Sequence, residues 1–218
     1  MSRSFPRRSA RLAIAVALIA GAGAARAHPH VWVAARSVVV FAPDGRITGI
    51  RHAWTFDELY SAYAAQGIGA PDQPPTSLEL QPLAQTNVET LSDSGYFTIG
   101  KAAGRVVAFG QPVDYSMEQG ADKLLTLRFT LPLAAPASAG KAFTLQVYDP
   151  TFFVDFSFDD HDPVTLEHAP VGCNVNVAKP GPLVADDAKK LSEAFYANTP
   201  PGMDVGVKLA SRAVIACP

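Results

Sequence analysis

Two histidines near the start of the chain have the side chains and the spacing of a metal site. Only Pro29 separates His28 from His30, and imidazole nitrogens bind copper, zinc, nickel and cobalt ions. If the chain is cut before His28, the new α-amine and the His28 ring can chelate one ion together. Pro29 has no backbone N–H, which excludes the square-planar site that needs two deprotonated amides before a third-position histidine. The alternative is that two polar residues merely lead into a strand.

The segment before His28 has the three parts of a cleavable signal peptide. Four arginines lie within the first 11 residues, and a nine-residue apolar run follows from Leu12 to Ala20. Ala25 and Ala27 then supply small residues at the two positions that signal peptidase recognises. The pattern predicts export to the periplasm, with residues 1–27 removed. Since a membrane span needs about 20 apolar residues, and no comparable run follows, the mature protein is expected not to be membrane-embedded.

The charge of the mature chain argues against a nucleic-acid partner. The leader holds five of the 18 Lys and Arg residues and none of the 20 Asp and Glu residues, which leaves a formal charge of −7. Proteins that bind nucleic acid need a basic patch for the phosphates. The sequence also lacks a Gly-x-Ser-x-Gly elbow, a phosphate-binding glycine loop and a His-Glu-x-x-His motif. We therefore predict that the protein is not an enzyme.

Cys173 and Cys217 are the two cysteines of the chain. In an oxidising compartment, an even number of cysteines predicts a disulfide. The short Cys-x-x-Cys spacing that zinc sites favour is absent. On the chain-entropy model, closing a loop of this length stabilises the fold by roughly 4 kcal/mol.

A β-hairpin is expected to position the histidines. Residues 31–41 and 47–56 are rich in β-branched and apolar side chains, and Asp44-Gly45 between them predicts a two-residue turn. Helical spacing begins at about residue 56, and a second helix is expected from about Ser77 to Leu91, with Thr76 and Glu79 spaced as a capping box.

The remaining residues predict short antiparallel strands and a last helix from Leu183 to Ala197. The mature residues 28–218 are thus expected to form one α+β domain that is β-rich, antiparallel and sandwich-like. A helical insertion at about 56–93 follows the first hairpin, and a C-terminal helix lies near the end of the chain.

The hairpin register suggests which side chains complete the metal site. A strict two-residue turn places Trp32 opposite Asp57, and His52 opposite Ser37. Ser37 is seven residues along the strand from His30, or roughly 23 Å away. The register therefore favours Asp57, or its neighbour Glu58, as the partner of His28 and His30. A bulge or a longer loop would leave His52 as the alternative partner.

The other polar clusters have more ordinary interpretations. His52 fits a partly buried histidine hydrogen-bonded beside an aromatic residue, and the acidic run from Asp159 to Asp162 fits an exposed turn before a proline. A copper-dependent oxidoreductase that uses the N-terminal histidine would need a more distant histidine. Nothing in the spacing selects among His52, His161 and His168 for that purpose.

Several motifs together resemble one protein family, the periplasmic component of an uncharacterised ABC-type transport system. The likeness covers about residues 28–178. The motifs are His28-Pro29-His30-Val31-Trp32, Trp54-Thr55-Phe56-Asp57-Glu58, Tyr96-Phe97-Thr98, Val107-Ala108-Phe109-Gly110, Tyr148-Asp149-Pro150-Thr151-Phe152-Phe153 and Asp162-Pro163-Val164-Thr165-Leu166.

The resemblance implies a periplasmic accessory role beside nickel/cobalt-type permeases. Members of that family often carry an EF-hand-like acidic loop after the first helix, but here Asp72 is the only carboxylate before Glu79, so calcium is not predicted. We expect a periplasmic protein that binds nickel, cobalt, zinc or copper and serves a membrane metal permease. The alternatives are the copper oxidoreductase and a docking module for the permease that binds no metal.

Overall fold

The computed structural model of the chain describes residues 30–70, 73–182, 184–197 and 203–218. The predicted leader, His28 and Pro29 lie outside these residues. Within them, the strands are β1 (Val31–Phe41), β2 (Ile47–Phe56), β3 (Thr98–Ala102), β4 (Arg105–Val106), β5 (Val113–Gln119), β6 (Leu125–Ala137), β7 (Phe143–Val147), β8 (Val154–Phe158), β9 (Val164–Glu167), β10 (Asn174–Ala178) and β11 (Arg212–Ala216). The α-helices are α1 (Glu58–Ala64), α2 (Gln81–Leu91), α3 (Ala185–Ala197) and α4 (Met203–Leu209), and a 3-10 segment, Ser92–Phe97, follows α2.

The strands form two sheets. Sheet I has the order β5-β6-β2-β1-β8, with β9 also paired to β1, and sheet II has the order β10-β11-β7-β3-β4. The prediction of an antiparallel, β-rich α+β fold is confirmed. The sequence did not predict that β1 pairs in parallel with β8 and β9.

One face of sheet I is buried along its whole length, but by two different neighbours. At one end, Val39 and Ile50 pack in a cluster with Phe143 and Ile215 of sheet II. At the other end, side chains such as Trp54 pack with residues of α2. The opposite side of sheet I, here called its outer face, carries the alternate residues of each strand.

The first hairpin has the predicted register but not the predicted turn. Val33 pairs with Phe56, and the same register continues to Val40, which pairs with Gly49. At the tip, Ala42 N–H donates to the carbonyl of Arg46 (2.8 Å), so the loop has three residues rather than two. Gly45, with φ of 79°, closes this loop in the left-handed conformation that such hairpins use.

A bulge reconciles the longer loop with the predicted pairing. Phe41 pairs with Ile47, whereas Val40 pairs with Gly49, so Thr48 is an extra residue on β2. Its hydroxyl donates to the carbonyl of Val40 (3.3 Å). The extra residue restores the register that places Trp32 opposite Asp57.

The predicted capping box forms, but it does not begin the helix directly. Thr76 N–H and hydroxyl both donate to Glu79 Oε2 at 2.8 Å. Residues 77–80 form a turn, and α2 begins only at Gln81. Pro82 explains the later start, because proline has no N–H to donate back along a helix and is tolerated only in its first turn.

The predicted disulfide is present between Cys173 and Cys217. These residues flank the antiparallel pair β10 and β11, in which Asn174 lies opposite Ala216. The bond therefore ties the end of the chain to the start of β10. In the described residues, no helix has both the length and the apolar character needed to cross a membrane.

Candidate functional site

His30 lies immediately before β1, at the N-terminal end of this inner strand of sheet I. Its backbone N–H donates to the carbonyl of Phe153 (2.9 Å), and its exposed ring contacts the Phe153 ring at a centroid distance of 4.6 Å. Val31 and Val33 pack into the core, so the alternation of a strand directs His30 and Trp32 to the outer face. The fold thus presents His30 outward, two residues after His28.

Asp57 is held by backbone donors from two elements. Its Oδ1 accepts the N–H of Tyr60 (2.9 Å) as the N-cap of α1. Its Oδ2 accepts the N–H of Trp32 (2.8 Å), and Asp57 N–H donates to the Trp32 carbonyl (3.0 Å). Asp57 therefore lies opposite Trp32, as the register predicts, and joins helix to strand. Its role as a metal ligand stays a prediction. Glu58, the next residue, is exposed in the first turn of α1.

His52 lies in the core, on the buried face of sheet I, with only 1% of its surface exposed. Its Nδ1 is 3.0 Å from the Ser37 hydroxyl, and its Nε2 is 3.3 Å from the Thr98 hydroxyl. Desolvation lowers the pKa of His52 to about 3, so the ring is neutral near neutral pH. It pairs with Ser37 as predicted. The structure therefore does not bring His52 and His30 together: they lie on opposite faces of the sheet.

The loop before β8 contains Phe153, whose ring His30 contacts. Asp149 is buried, and its Oδ1 accepts the backbone N–H and the hydroxyl of Thr151, both at 2.7 Å. Its Oδ2 accepts the N–H groups of Phe153 (3.1 Å) and Val154 (3.0 Å). The sequence suggested only an Asp-Pro turn here, and the Asp149-Pro150-Thr151 spacing was the signal for this closed loop.

Asp155 is a second carboxylate beside His30 that the sequence did not single out. It pairs with Trp32 across the parallel ladder of β1 and β8. Val154 and Phe156 pack in the core, so Asp155 faces outward with Trp32. Partial burial raises the pKa of the Asp155 carboxyl. Among the described residues, no donor forms a hydrogen bond or ion pair with it.

The acidic run from Asp159 to Asp162 behaves as a surface turn. Asp159 accepts the N–H of His161 (2.9 Å) and pairs with Arg36 at 2.8 Å, and both contacts lower the pKa of its carboxyl. Asp160 pairs with Lys179 (3.0 Å). His168 is exposed and lies 3.9 Å from Glu167. Neither His161 nor His168 lies on the strand positions that flank His30.

Within residues 30–70, 73–182, 184–197 and 203–218, no group of three His, Cys, Asp or Glu side chains converges as a metal site would require. The described part of the candidate site consists of His30, Asp155 and Asp57 around Trp32. His28, the other predicted ligand, lies outside the described residues.

Comparison with known proteins places the chain in a family without assigning it an activity. The chain is 24% identical over 200 residues to an uncharacterized protein of Haemophilus influenzae, and the match covers 88% of this chain and 91% of that relative. A family model described as a protein of unknown function (DUF1007) matches residues 13–217. Because the match spans nearly the whole sequence, the chain belongs to the DUF1007 family.

Proposed function

We propose that this protein is an exported accessory protein that binds a divalent transition-metal ion at its mature N-terminus and serves a membrane metal permease. One observation carries the proposal: His30 is exposed at the start of β1, and its backbone is fixed by a hydrogen bond to Phe153. A chain cut before His28 therefore carries its α-amine and a second imidazole within two residues of an anchored histidine.

The donor set suits a transition metal. The α-amine and two imidazoles supply nitrogen donors, which nickel, cobalt, zinc and copper ions accept readily. The acidic charge of the mature chain, −7, further favours a cation as the ligand.

Two features support export to the periplasm. The leader has the charged, apolar and small-residue parts of a signal peptide. The disulfide between Cys173 and Cys217 is of the kind that persists in oxidising compartments.

The permease partner is supported by the resemblance to a transport-associated periplasmic family, and by size. The mature chain of 191 residues suits one domain, whereas a clamshell substrate-binding protein needs two lobes. The proposed role is therefore to hold and pass an ion, without a catalytic step.

The test is a metal titration of the mature protein beginning at His28. We expect binding of Ni²⁺, Co²⁺, Zn²⁺ or Cu²⁺ with one ion per chain, measured by competition with a chromophoric chelator. A matched protein with one alanine before His28 keeps both rings but moves the α-amine, so its affinity should fall by about tenfold or more.

Three outcomes would contradict the proposal. Equal affinity of the two proteins for the metal would show that the α-amine is not a ligand. No binding by either would leave a metal-free docking module for the permease. Oxygen consumption by the copper-loaded protein in the presence of a reductant would instead indicate the copper oxidoreductase.

A further inference from the structure

We propose that a groove between the two sheets binds a small amphipathic anion, of which an alkyl carboxylate is the simplest example. The groove, here called the end groove, lies between the hairpin of β3 and β4 and the last residues of β6. Its volume is about 730 Å³, and small-molecule sites typically measure about 300 to 1,000 Å³. The proposal does not rest on the metal site, because the end groove shares no residue with it.

Strand pairing places the end groove far from His30, near the tip of the first hairpin. Ala137, the last residue of β6, pairs with Ile47, and Ile47 pairs with Phe41, the last residue of β1. A strand rises about 3.3 Å per residue, so the length of β1 separates this end from His30 by roughly 30 Å. A small ligand in the end groove therefore cannot contact His30.

The two sheets leave this end of the core unfilled. Deeper in the same cluster, the large side chains of Phe143 and Ile215 are fully buried between the sheets. At the end groove both sheets supply small residues instead, among them Ala102 and Ala137, which also belong to that core cluster. Protein interiors are close-packed and have few voids larger than a water molecule. A groove of this size that continues the core is therefore suited to an apolar ligand body.

Two valines add apolar surface to the groove. Val107 packs against the core cluster, whereas Val106 is 70% exposed, and both line the end groove. A ligand that covers Val106 would remove this apolar surface from water, which favours binding. The ligand therefore needs an apolar body as well as a charged group.

Two cations that line the same groove have no partner. Arg105 lies on β4, and Lys141 lies between β6 and β7. In the described part of the chain, neither side chain forms an ion pair or a hydrogen bond. By contrast, Arg36, Arg51 and Arg128 each pair with a carboxylate. No Asp or Glu is among the described residues that line the groove, so its charge favours an anion.

The backbone places both cations within reach of one anionic group. Arg105 pairs with Ala102, and Ala102 pairs with Phe143, two residues after Lys141. Two strand spacings of about 4.8 Å and a rise of about 6.6 Å put the Cα atoms of Arg105 and Lys141 roughly 12 Å apart. Two long side chains can approach one carboxylate from that separation, while the alkyl chain lies against the apolar lining.

Calorimetric titration of the mature protein tests the charge and the apolar body of the ligand separately. The three probes are octanoate, octylammonium and acetate. We expect one octanoate to bind per chain. Octylammonium has the same alkyl chain with the opposite charge, and it should bind about tenfold more weakly or less. Acetate has the carboxylate without the long chain, and its affinity should also be lower by about tenfold or more.

Variants of the lining residues locate the site. Arg105→Gln and Lys141→Gln should each weaken octanoate binding about threefold, and the double variant about tenfold, on the scale of exposed ion pairs. Ala135→Phe places a large side chain in the groove and should weaken binding about tenfold or more. The matched control is Lys179→Gln, which removes an exposed cation outside the groove and should bind octanoate as the wild type does. Thermal unfolding verifies that each variant is folded.

Three results would overturn the proposal: no binding of octanoate, equal affinity for octanoate and octylammonium, or wild-type affinity in the double variant. If Ala135→Phe fails to fold, the Arg105 and Lys141 variants, which change only exposed side chains, decide the test. His30→Ala separates this site from the proposed metal site. It should bind octanoate as the wild type does, and a loss of octanoate binding in His30→Ala would overturn the assignment to the end groove.

Discussion

His30 and His52 lie on the same hairpin but in opposite environments. His52 is inside the core with a hydroxyl group at each ring nitrogen, whereas His30 is exposed at the N-terminal end of β1 beside Phe153. The difference follows from the register, because the even-numbered residues of β2 from Ile50 to Phe56 face inward, whereas the even-numbered residues of β1 face outward. Strand geometry thus places one of two histidines that look equivalent in the sequence inside the core, and the other at the surface.

The largest expected effect is a loss of stability at acidic pH, caused by the low pKa of His52. Its pKa is lowered from 6.5 to about 3 in the folded protein. As the pH falls below about 6.5, the unfolded chain binds a proton that the folded chain does not, so the free energy of unfolding falls by about 1.4 kcal/mol per pH unit until the folded pKa is reached. Between pH 6.5 and 4.5 the loss should amount to about 2 to 3 kcal/mol.

Urea unfolding at pH 6.5 and pH 4.5 measures this loss. His52→Gln, which can still reach Ser37 and Thr98, should lose less stability on acidification than the wild type. His161→Gln, which removes an exposed histidine, is the control and should follow the wild type. If all three proteins lost the same free energy of unfolding, the low pKa of His52 would not be the cause of the loss.

The loop behind His30 should depend strongly on Asp149. Asp149→Ala leaves the N–H groups of Thr151, Phe153 and Val154 without their acceptor, and we expect it to lower the free energy of unfolding by about 2 to 3 kcal/mol. Asp149→Asn keeps one acceptor oxygen and should cost about half as much. Chemical denaturation gives both values. If Asp149→Ala lowered the free energy of unfolding by less than a typical surface substitution does, the hydrogen bonds of this carboxylate would not stabilise the loop.

A smaller effect is expected at Asp57. Asp57→Ala removes the N-cap of α1 and the acceptor for Trp32 N–H, and it should cost about 1 to 2 kcal/mol. Asp57→Asn retains a capping oxygen and should cost less than about 1 kcal/mol. Thermal unfolding checks the order of the two variants. If both cost the same, the charge rather than the cap explains the role of Asp57.

The smallest effect on stability is expected at His30. His30→Ala removes an exposed ring contact with Phe153, worth about 0.5 to 1 kcal/mol. Denaturation with and without Ni²⁺ is the measurement. Without metal, the variant should nearly match the wild type, and with metal only the wild type should gain stability. A loss of several kcal/mol without metal would instead make His30 a structural residue like His52.

The sequence predicted features that depend on neighbours along the chain. Gly45 and the β-branched residues around it were enough for the hairpin, and the two cysteines were enough for the disulfide. Even the register of His52 against Ser37 could be obtained, although the three-residue loop and the Thr48 bulge were missed because their two shifts cancel. The late start of α2 depended on Pro82, whose missing N–H outweighed the capping box at Thr76.

The candidate site was only half predictable for a different reason. His28 and His30 stand out through their residue type and their place after the predicted leader. Asp155 does not, because its proximity to His30 arises from the parallel pairing of β1 and β8, which no local pattern encodes. Likewise, the sequence around Asp149 predicts only an ordinary turn. The structure shows that its carboxylate accepts four hydrogen bonds from the loop.

The parallel pairing of β1 also constrains when the protein can fold. Val31 pairs with Val154, and Ser37 with Val164, so the first strand to leave a ribosome or a translocation channel waits for partners made much later. Contacts between such distant residues make folding slow. Until those partners arrive, β2 can cover only one edge of β1. In the export that we propose, this delay would help the chain to cross the membrane unfolded, because its N-terminal half cannot complete a sheet by itself.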